Sequence, residues 1–226
     1  MNQDSTEKQF VFPKWANYLL PVIVVGALGA MFYIPTVVAL GASPKTLAVG
    51  YSPVQPVPYS HALHAGKLGI DCRYCHTTVE KAAFAALPPT QTCMNCHTNI
   101  KNASPALQPV RDSWTTGKPV EWIKIHNLAQ YVYFNHSAHV SHGVGCIECH
   151  GRIDRMEQVW QAKPLSMGWC LDCHRDPGSH LRPKDIPVTD MSWPQPGQHE
   201  QPAEELLKEY KIHDMAYMTS CSTCHR

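Results

Sequence analysis

All ten cysteines of the chain fall into five Cys-x-x-Cys-His units. These are Cys72/Cys75/His76, Cys93/Cys96/His97, Cys146/Cys149/His150, Cys170/Cys173/His174 and Cys221/Cys224/His225. On one helical turn, residues i and i+3 project from the same side, so both sulfurs can meet the two vinyl groups of one porphyrin. The histidine at i+4 shares that face and reaches the iron as proximal ligand. A single unit would also suit a zinc ribbon or a redox dithiol. Five of five followed by His, with no cysteine left over, does not. The spacing therefore predicts five covalently bound haem c groups.

An internal repeat supplies a second set of histidines. Tyr59-Ser-His61-Ala-Leu-His64, leading to Cys72, aligns with Phe134-Asn-His136-Ser-Ala-His139, leading to Cys146, with one residue deleted in the second copy. Each copy runs into its own Cys-x-x-Cys-His and then a second one. Four spare histidines for four haems imply bis-His, low-spin irons with no open position. Recurrence at one offset in both copies argues against four solvated surface histidines. The fifth haem has no repeat-supplied partner. Its distal ligand is sought among Met156, Met167, Met191 and His126, and more widely among His142, His180, His199, His213, Met215 and Met218. A thioether is the favoured type, and would raise that haem's potential relative to a bis-His set.

The elements that must position these groups are modest. Outside the apolar segment there are about 36 residues per haem, too few to build an ordinary core around each. The porphyrins must themselves form much of the core, wrapped by loops and short helices. The 19 prolines suit such wrapping. Helices are expected at the haem motifs, at residues 79–86 and at 202–211, with little sheet. From Trp15 to Pro44 there is no charge, and Leu19 to Leu40 is almost continuously apolar. That length exceeds a signal-peptide apolar region and suits a transmembrane helix. Trp15, Tyr18 and Tyr33 are rings of the interface-anchoring kind. The fold class is thus one N-terminal transmembrane helix plus a mostly α/irregular multihaem cytochrome c domain. The expected divisions are a cytoplasmic tail over 1–14, the helix over 15–43 and the haem domain over 44–226. Within the last, 57–125 and 126–200 are the duplicated modules and 201–226 carries the fifth haem. A formal charge of +1 gives no field that would draw nucleic acid.

The His-x-x-His pairs ahead of Cys-x-x-Cys-His resemble the class III multihaem cytochromes. That resemblance implies that His61 serves the Cys72/Cys75 haem and His136 the Cys146/Cys149 haem, while His64 and His139 cross between modules. The wider layout resembles the pentahaem cytochrome c subunit of alternative complex III. The motifs carrying it are Gly69-Ile-Asp-Cys-Arg-Tyr-Cys-His76, Tyr133-Phe-Asn-His-Ser-Ala-His139 and Met167-Gly-Trp-Cys-Leu-Asp-Cys-His-Arg175. The resemblance implies an electron-transfer subunit of a quinol:cytochrome c or quinol:oxidase oxidoreductase in the respiratory chain, with no catalytic residue of its own. It further implies iron–sulfur and integral membrane subunits as partners, with a monohaem cytochrome c or a haem–copper oxidase as acceptor. Resemblance to c-type cytochromes implies haem attachment after export, which would put the haem domain on the periplasmic side of the bacterial cytoplasmic membrane. A stand-alone membrane-anchored quinol dehydrogenase feeding periplasmic reductases is the rival reading. A multihaem reductase is disfavoured because no motif ends in Lys.

Overall fold

The computed structural model describes residues 12–42, 47–193 and 201–225. The tail before residue 12, the junction around Pro44 and Lys45, and His199 lie outside the described residues. The chain forms two compact units, residues 1–46 and 47–226.

In the first unit a 3-10 turn, Lys14–Tyr18, leads into α1, Leu19–Gly41. At 1.5 Å per residue this helix is about 35 Å long, enough to span the roughly 30 Å hydrocarbon core of a bilayer. Lys14–Gly41 reaches a mean hydropathy of 2.2, and none of its apolar window is buried by protein. Pro21 falls in the first turn, where its missing N–H costs little. Pro35 lies inside the helix, and the neighbouring Thr36 hydroxyl donates to the Phe32 carbonyl at 2.7 Å. The helix has no polar face to turn toward water.

The second unit is helical and irregular. Among the described residues there is no sheet, only isolated antiparallel bridges at Val132–His225 and Val144–Leu181. Its helices are α2 Cys72–Cys75, α3 Thr90–His97, α4 Gln108–Thr116, α5 His136–Ser141 and α6 Cys146–His150. They continue as α7 Met167–Arg175, α8 Ala203–Glu209, α9 Met215–Met218 and α10 Cys221–Cys224. All are too short to persist alone, so caps and packing hold them. Asp71 accepts from the Arg73 N–H, Asn135 from Ser137 and Ala138, Ser166 from Trp169, and Asp214 from Tyr217. Every Cys-x-x-Cys-His unit thus has its cysteines on a helical turn, and α8 falls inside the expected 202–211. The helix expected at 79–86 does not form; that stretch is turns and bends. Thr78 closes it as a loop, its hydroxyl donating to Phe84 O at 2.6 Å and accepting from Ala86 N at 2.8 Å. These side-chain bonds compete with a helical ladder.

The repeat is visible in the backbone. In the second copy, Val144 N donates to His139 O at 3.1 Å; in the first, Ile70 N donates to His64 O at 3.0 Å. The first copy spans one residue more and absorbs it as a π-helical segment, Ala62–Lys67, where the second has the α-helix α5. A π turn accommodates one extra residue, so both copies deliver their attachment helix in the same register. The modules also grip each other. Ala62 N donates to Met156 O at 3.0 Å, and His136 N donates to Ala83 O at 3.1 Å. Gly66 permits the first of these approaches, since a Cβ there would collide with the Asp154 carbonyl.

The protein core is small. Among the described residues just seven apolar side chains are buried: Val57, Met94, Val110, Ile147, Met156, Leu181 and Leu206. Val57, Met94 and Val110 cluster with Cys93, Leu107, Val120 and Trp122 beneath α3 and α4. So little apolar burial is far below what a soluble domain of this size ordinarily achieves.

Candidate haem-binding sites

The histidines share one hydrogen-bonding habit. Nδ1 faces a backbone carbonyl in His64 (Ser60 O, 2.8 Å), His76 (Ala86 O, 2.9 Å) and His97 (Ile100 O, 2.9 Å). The same holds for His136 (Ala83 O, 2.8 Å), His139 (Asn135 O, 2.7 Å), His174 (Met218 O, 2.8 Å) and His225 (Tyr131 O, 3.2 Å). A proton held on Nδ1 by a carbonyl fixes the tautomer and leaves Nε2 as the metal-binding atom. His61 and His150 are the exceptions: their Nδ1 atoms are buried without a partner.

Aromatic rings set the orientation of the repeat-supplied pairs. Tyr59 meets His61 edge-on at 4.8 Å and 85° and stacks on His64 at 4.4 Å and 22°. Phe134 does the same to His136 at 4.8 Å and 86° and to His139 at 4.6 Å and 28°. Two residues before the first histidine, an aromatic side chain recurs in both copies, and that recurrence is the sequence signal for this role.

Ring-to-ring distances then decide which histidines face each other. His64 and His97 are 6.2 Å apart between ring centres, and His139 and His174 are 6.1 Å apart. Two imidazoles bound to one metal from opposite sides, at about 2 Å each, have ring centres about 6 Å apart. Both pairs lie within a single module. This in-module approach differs from the crossing between modules that the class III resemblance implies for His64 and His139. Ala62, next to the first histidine of one pair, and His136, the first of the other, dock on the opposite module through the Ala62–Met156 and His136–Ala83 contacts.

His61, His76, His136 and His150 gather where the modules meet. Burial, followed by His76 and His64, lowers the His61 pKa to about 4. Burial also lowers that of His150 to about 3, with His126, His136, His76 and His61 adding to the effect. His139 is likewise lowered, first by burial. Each is held as the neutral imidazole that metal ligation requires.

The ten cysteines form no disulfides. Eight of them are partly buried, but Cys96 and Cys221 are exposed. The reason for Cys96 is its place in the last turn of α3. There its carbonyl accepts from Asn99 N at 3.1 Å and Ile100 N at 2.8 Å, and the chain turns away before any other segment covers the thiol. Exposure does not remove Cys96 from the attachment set, since Cys93 and Cys96 still share one face of α3 with His97.

Cys72 lies in electrostatic reach of Cys146, and Cys75 of Cys93. Cys149 is similarly placed relative to Cys173 and Cys170, and Cys170 relative to Cys224. Neighbour by neighbour, the motifs run from Cys93/Cys96 through Cys72/Cys75, Cys146/Cys149 and Cys170/Cys173 to Cys221/Cys224. The two exposed cysteines thus belong to the two end motifs. Hydrogen bonds agree with this order. Thr189 Oγ1 bonds Asp71 at 3.1 Å while Val188 O takes the Cys146 N–H at 3.0 Å, joining α2 to α6. Met218 O receives His174 Nδ1, joining α7 to α9.

At the fifth motif, Tyr133 N donates to Cys224 O at 2.8 Å, and Tyr131 lies 5.7 Å from the His225 ring. The candidate distal ligands are scattered. Met156 is buried with its carbonyl on Ala62, Met167 is 62% exposed at the start of α7, and Met191 is half-buried in a turn. His126 is set edge-on against His150 at 4.4 Å, with its Nε2 buried and unpartnered. Tyr131 and its carbonyl face the His225 ring.

The residues fit haem. Paired imidazoles at the two-ligand spacing, cysteine pairs on helical turns and a thin protein core are what a porphyrin-filled interior needs. Among the described residues, no three His, Cys, Asp or Glu side chains converge as they would around a bare ion.

No family model matches the chain. Over 102 residues it is 35% identical to the multihaem cytochrome c subunit of a menaquinone reductase from Nitratidesulfovibrio vulgaris. The similarity is to a multihaem cytochrome c. The match covers 45% of this chain and 48% of that protein, so the chain spans about half the length of the curated relative it matches.

Proposed function

We propose that this chain is an electron-transfer subunit carrying five covalent haems on the outer face of the cytoplasmic membrane, anchored by α1. Its place is in a quinol-oxidising complex of the alternative complex III type. The observation that carries the electron-transfer reading is the matched separation of His64–His97 and His139–His174, 6.2 and 6.1 Å. At these two sites, rings on both sides of a bound haem would leave no position for a substrate. When bound, haem c supplies reversible one-electron transfer at its iron.

The chain's own groups do the rest. The cysteine pairs fix position, and the five proximal histidines are His76, His97, His150, His174 and His225. His64 and His139 complete the second and fourth sites, and His61 and His136 complete the first and third between them. Backbone carbonyls keep the Nδ1 protons in place, and Tyr59 and Phe134 hold the distal rings. The neighbour order makes Cys93/Cys96 and Cys221/Cys224 the two ends, one for the donor and one for the acceptor. Exposure of Cys96 and Cys221 suits that role, because a terminal haem must come close to a partner's surface. The acceptor is a monohaem cytochrome c or a haem–copper oxidase.

The name of the relative favours a second reading, a subunit of a complex that reduces menaquinone. Purification of the holoprotein in mild detergent separates the two. Co-purification with iron–sulfur and integral membrane subunits, and quinol-dependent haem reduction in that assembly, are expected. Haems that are oxidised by menaquinone, and stay oxidised when menaquinol is added, would favour the second reading. A haem-to-protein ratio below five would remove the five-site assignment.

A further inference from the structure

Arg182 is only 1% exposed. Its Nη1 donates to Pro187 O at 2.8 Å and Asp190 O at 2.7 Å. Its Nε and Nη2 are buried with no partner. A buried guanidinium that hydrogen-bonds no carboxylate is strongly disfavoured, and a buried donor pair left unmatched calls for an explanation. The position is built rather than accidental. Arg182 N donates to Gly143 O at 3.1 Å, and Leu181 bridges Val144. The guanidinium lies on Gly145, where any Cβ would collide with Nε, Cζ and Nη2. The loop that holds Nη1 is the same one whose Val188 and Thr189 join α6 to α2.

Nε and Nη2 form the edge of a guanidinium that grips a carboxylate with two parallel hydrogen bonds. Nearby protein carboxylates are engaged elsewhere. Glu148 faces His180 Nδ1 at 3.3 Å, and Asp190 accepts from Ser192 N and Oγ. The Tyr210 hydroxyl lies near Gly143 and carries no charge to offer, since burial raises its pKa further. Haem brings two carboxylates per porphyrin, on the edge opposite the vinyl groups that bond cysteine. We propose that Nε and Nη2 of Arg182 bind a haem propionate, contributed by a haem neighbouring the one on Cys146. This rests on the covalent-haem reading given above, and it makes Arg182 a positioning and potential-setting residue.

The test uses the full-length holoprotein in detergent, grown on 5-aminolevulinate labelled with 13C at the carboxyl, so that only haem propionates carry the label. Redox-difference infrared spectra and potentiometric titrations are compared for wild type, Arg182→Gln and Arg182→Lys. In Arg182→Gln one labelled carboxylate band shifts and one midpoint falls, because a negative propionate loses its positive partner. The expected size is about tenfold in that haem's reduction equilibrium, ~59 mV for one electron. Arg182→Lys shifts the same band and recovers part of the midpoint. If Arg182→Gln yields no holoprotein, Arg182→Lys carries the test, since it keeps the charge and lacks the fork.

Labelled bands and midpoints unchanged in the available variants would overturn the proposal and leave Arg182 a strut for Pro187 and Asp190. A midpoint shift that vanishes in a Glu148→Gln background would overturn it too, naming Glu148 as the carboxylate. Failure of the haem reading itself is distinguishable, because it appears as a wild-type haem-to-protein ratio below five.

Discussion

At the scale of single residues, the recurring device is a histidine whose Nδ1 proton is parked on a backbone carbonyl. It turns His64 and His139 from flexible side chains into fixed donors aimed at His97 and His174. Replacing His64 or His139 by Ala should leave one iron five-coordinate and high-spin with the other four unchanged. Electron paramagnetic resonance and the optical spectrum of the purified variant check this, and a fully low-spin spectrum would sink the pairing. Asp71 works at the same scale. The Arg73 guanidinium, which hydrogen-bonds its carboxylate, holds its pKa at about 2. A depressed carboxylate stabilises the fold above its unfolded pKa, near 4, and loses that contribution as pH falls toward 2. Asp71→Ala should cost about 1 kcal/mol through loss of the α2 cap. It should also flatten the stability–pH curve between those limits, as seen in thermal melts of the holoprotein across pH.

Elements here are short, and their value lies in register. The π-helical segment Ala62–Lys67 absorbs the extra residue of the first copy, so that α2 and α6 emerge equivalently from the two repeats. Its close approach to the turn at Ile153–Arg155 depends on Gly66. Gly66→Ala must displace backbone rather than a pliable side chain, and should destabilise the domain by about 1–3 kcal/mol. A lowered melting midpoint with all haems retained is the expected result. An unchanged midpoint would show that the two modules can separate there without loss. The other decisive element is α1, apolar on every side. Exchanging residues 1–46 for a cleavable export signal should release the cytochrome into the soluble fraction with its optical spectrum intact. Continued membrane association of the shortened protein would point to a second attachment.

For the whole molecule, the order of the motifs in space differs from their order in sequence. The second motif lies at one end and the first sits between the second and third. Duplication explains this: each module contributes its first attachment helix to the shared junction and its second to the outside. Cys96 is exposed for the same reason, being on the outer side of the first module. The C-terminal motif extends the array beyond α7 through Met218 and Cys224. Converting both Cys221 and Cys224 to Ala should lower the haem count by one and leave the four-haem remainder low-spin. It should also slow exchange with one redox partner much more than with the other, measured by stopped-flow reduction and reoxidation. Equal slowing with both would contradict a terminal position for this site.

The sequence alone determined the attachment chemistry, the apolar helix and the duplication, because each is written in local spacing. A Cys-x-x-Cys-His needs one turn, a membrane span needs one uninterrupted apolar run, and a repeat needs only alignment. Which attachment cysteines end up covered was not local, since Cys96 and Cys149 have the same place in their motifs and differ only in what packs over them. The partner of each distal histidine was not local either. Nothing in the spacing singles out His97 for His64, and only the packing of one turn against α3 brings the two rings to 6.2 Å. The same holds for the carbonyls behind each Nδ1, which any residue can supply and which therefore leave no mark in sequence. Arg182 is the extreme case. It reads as one more surface cation until the chain folds its guanidinium onto Gly145, where burial strips away water and leaves two donors without a partner.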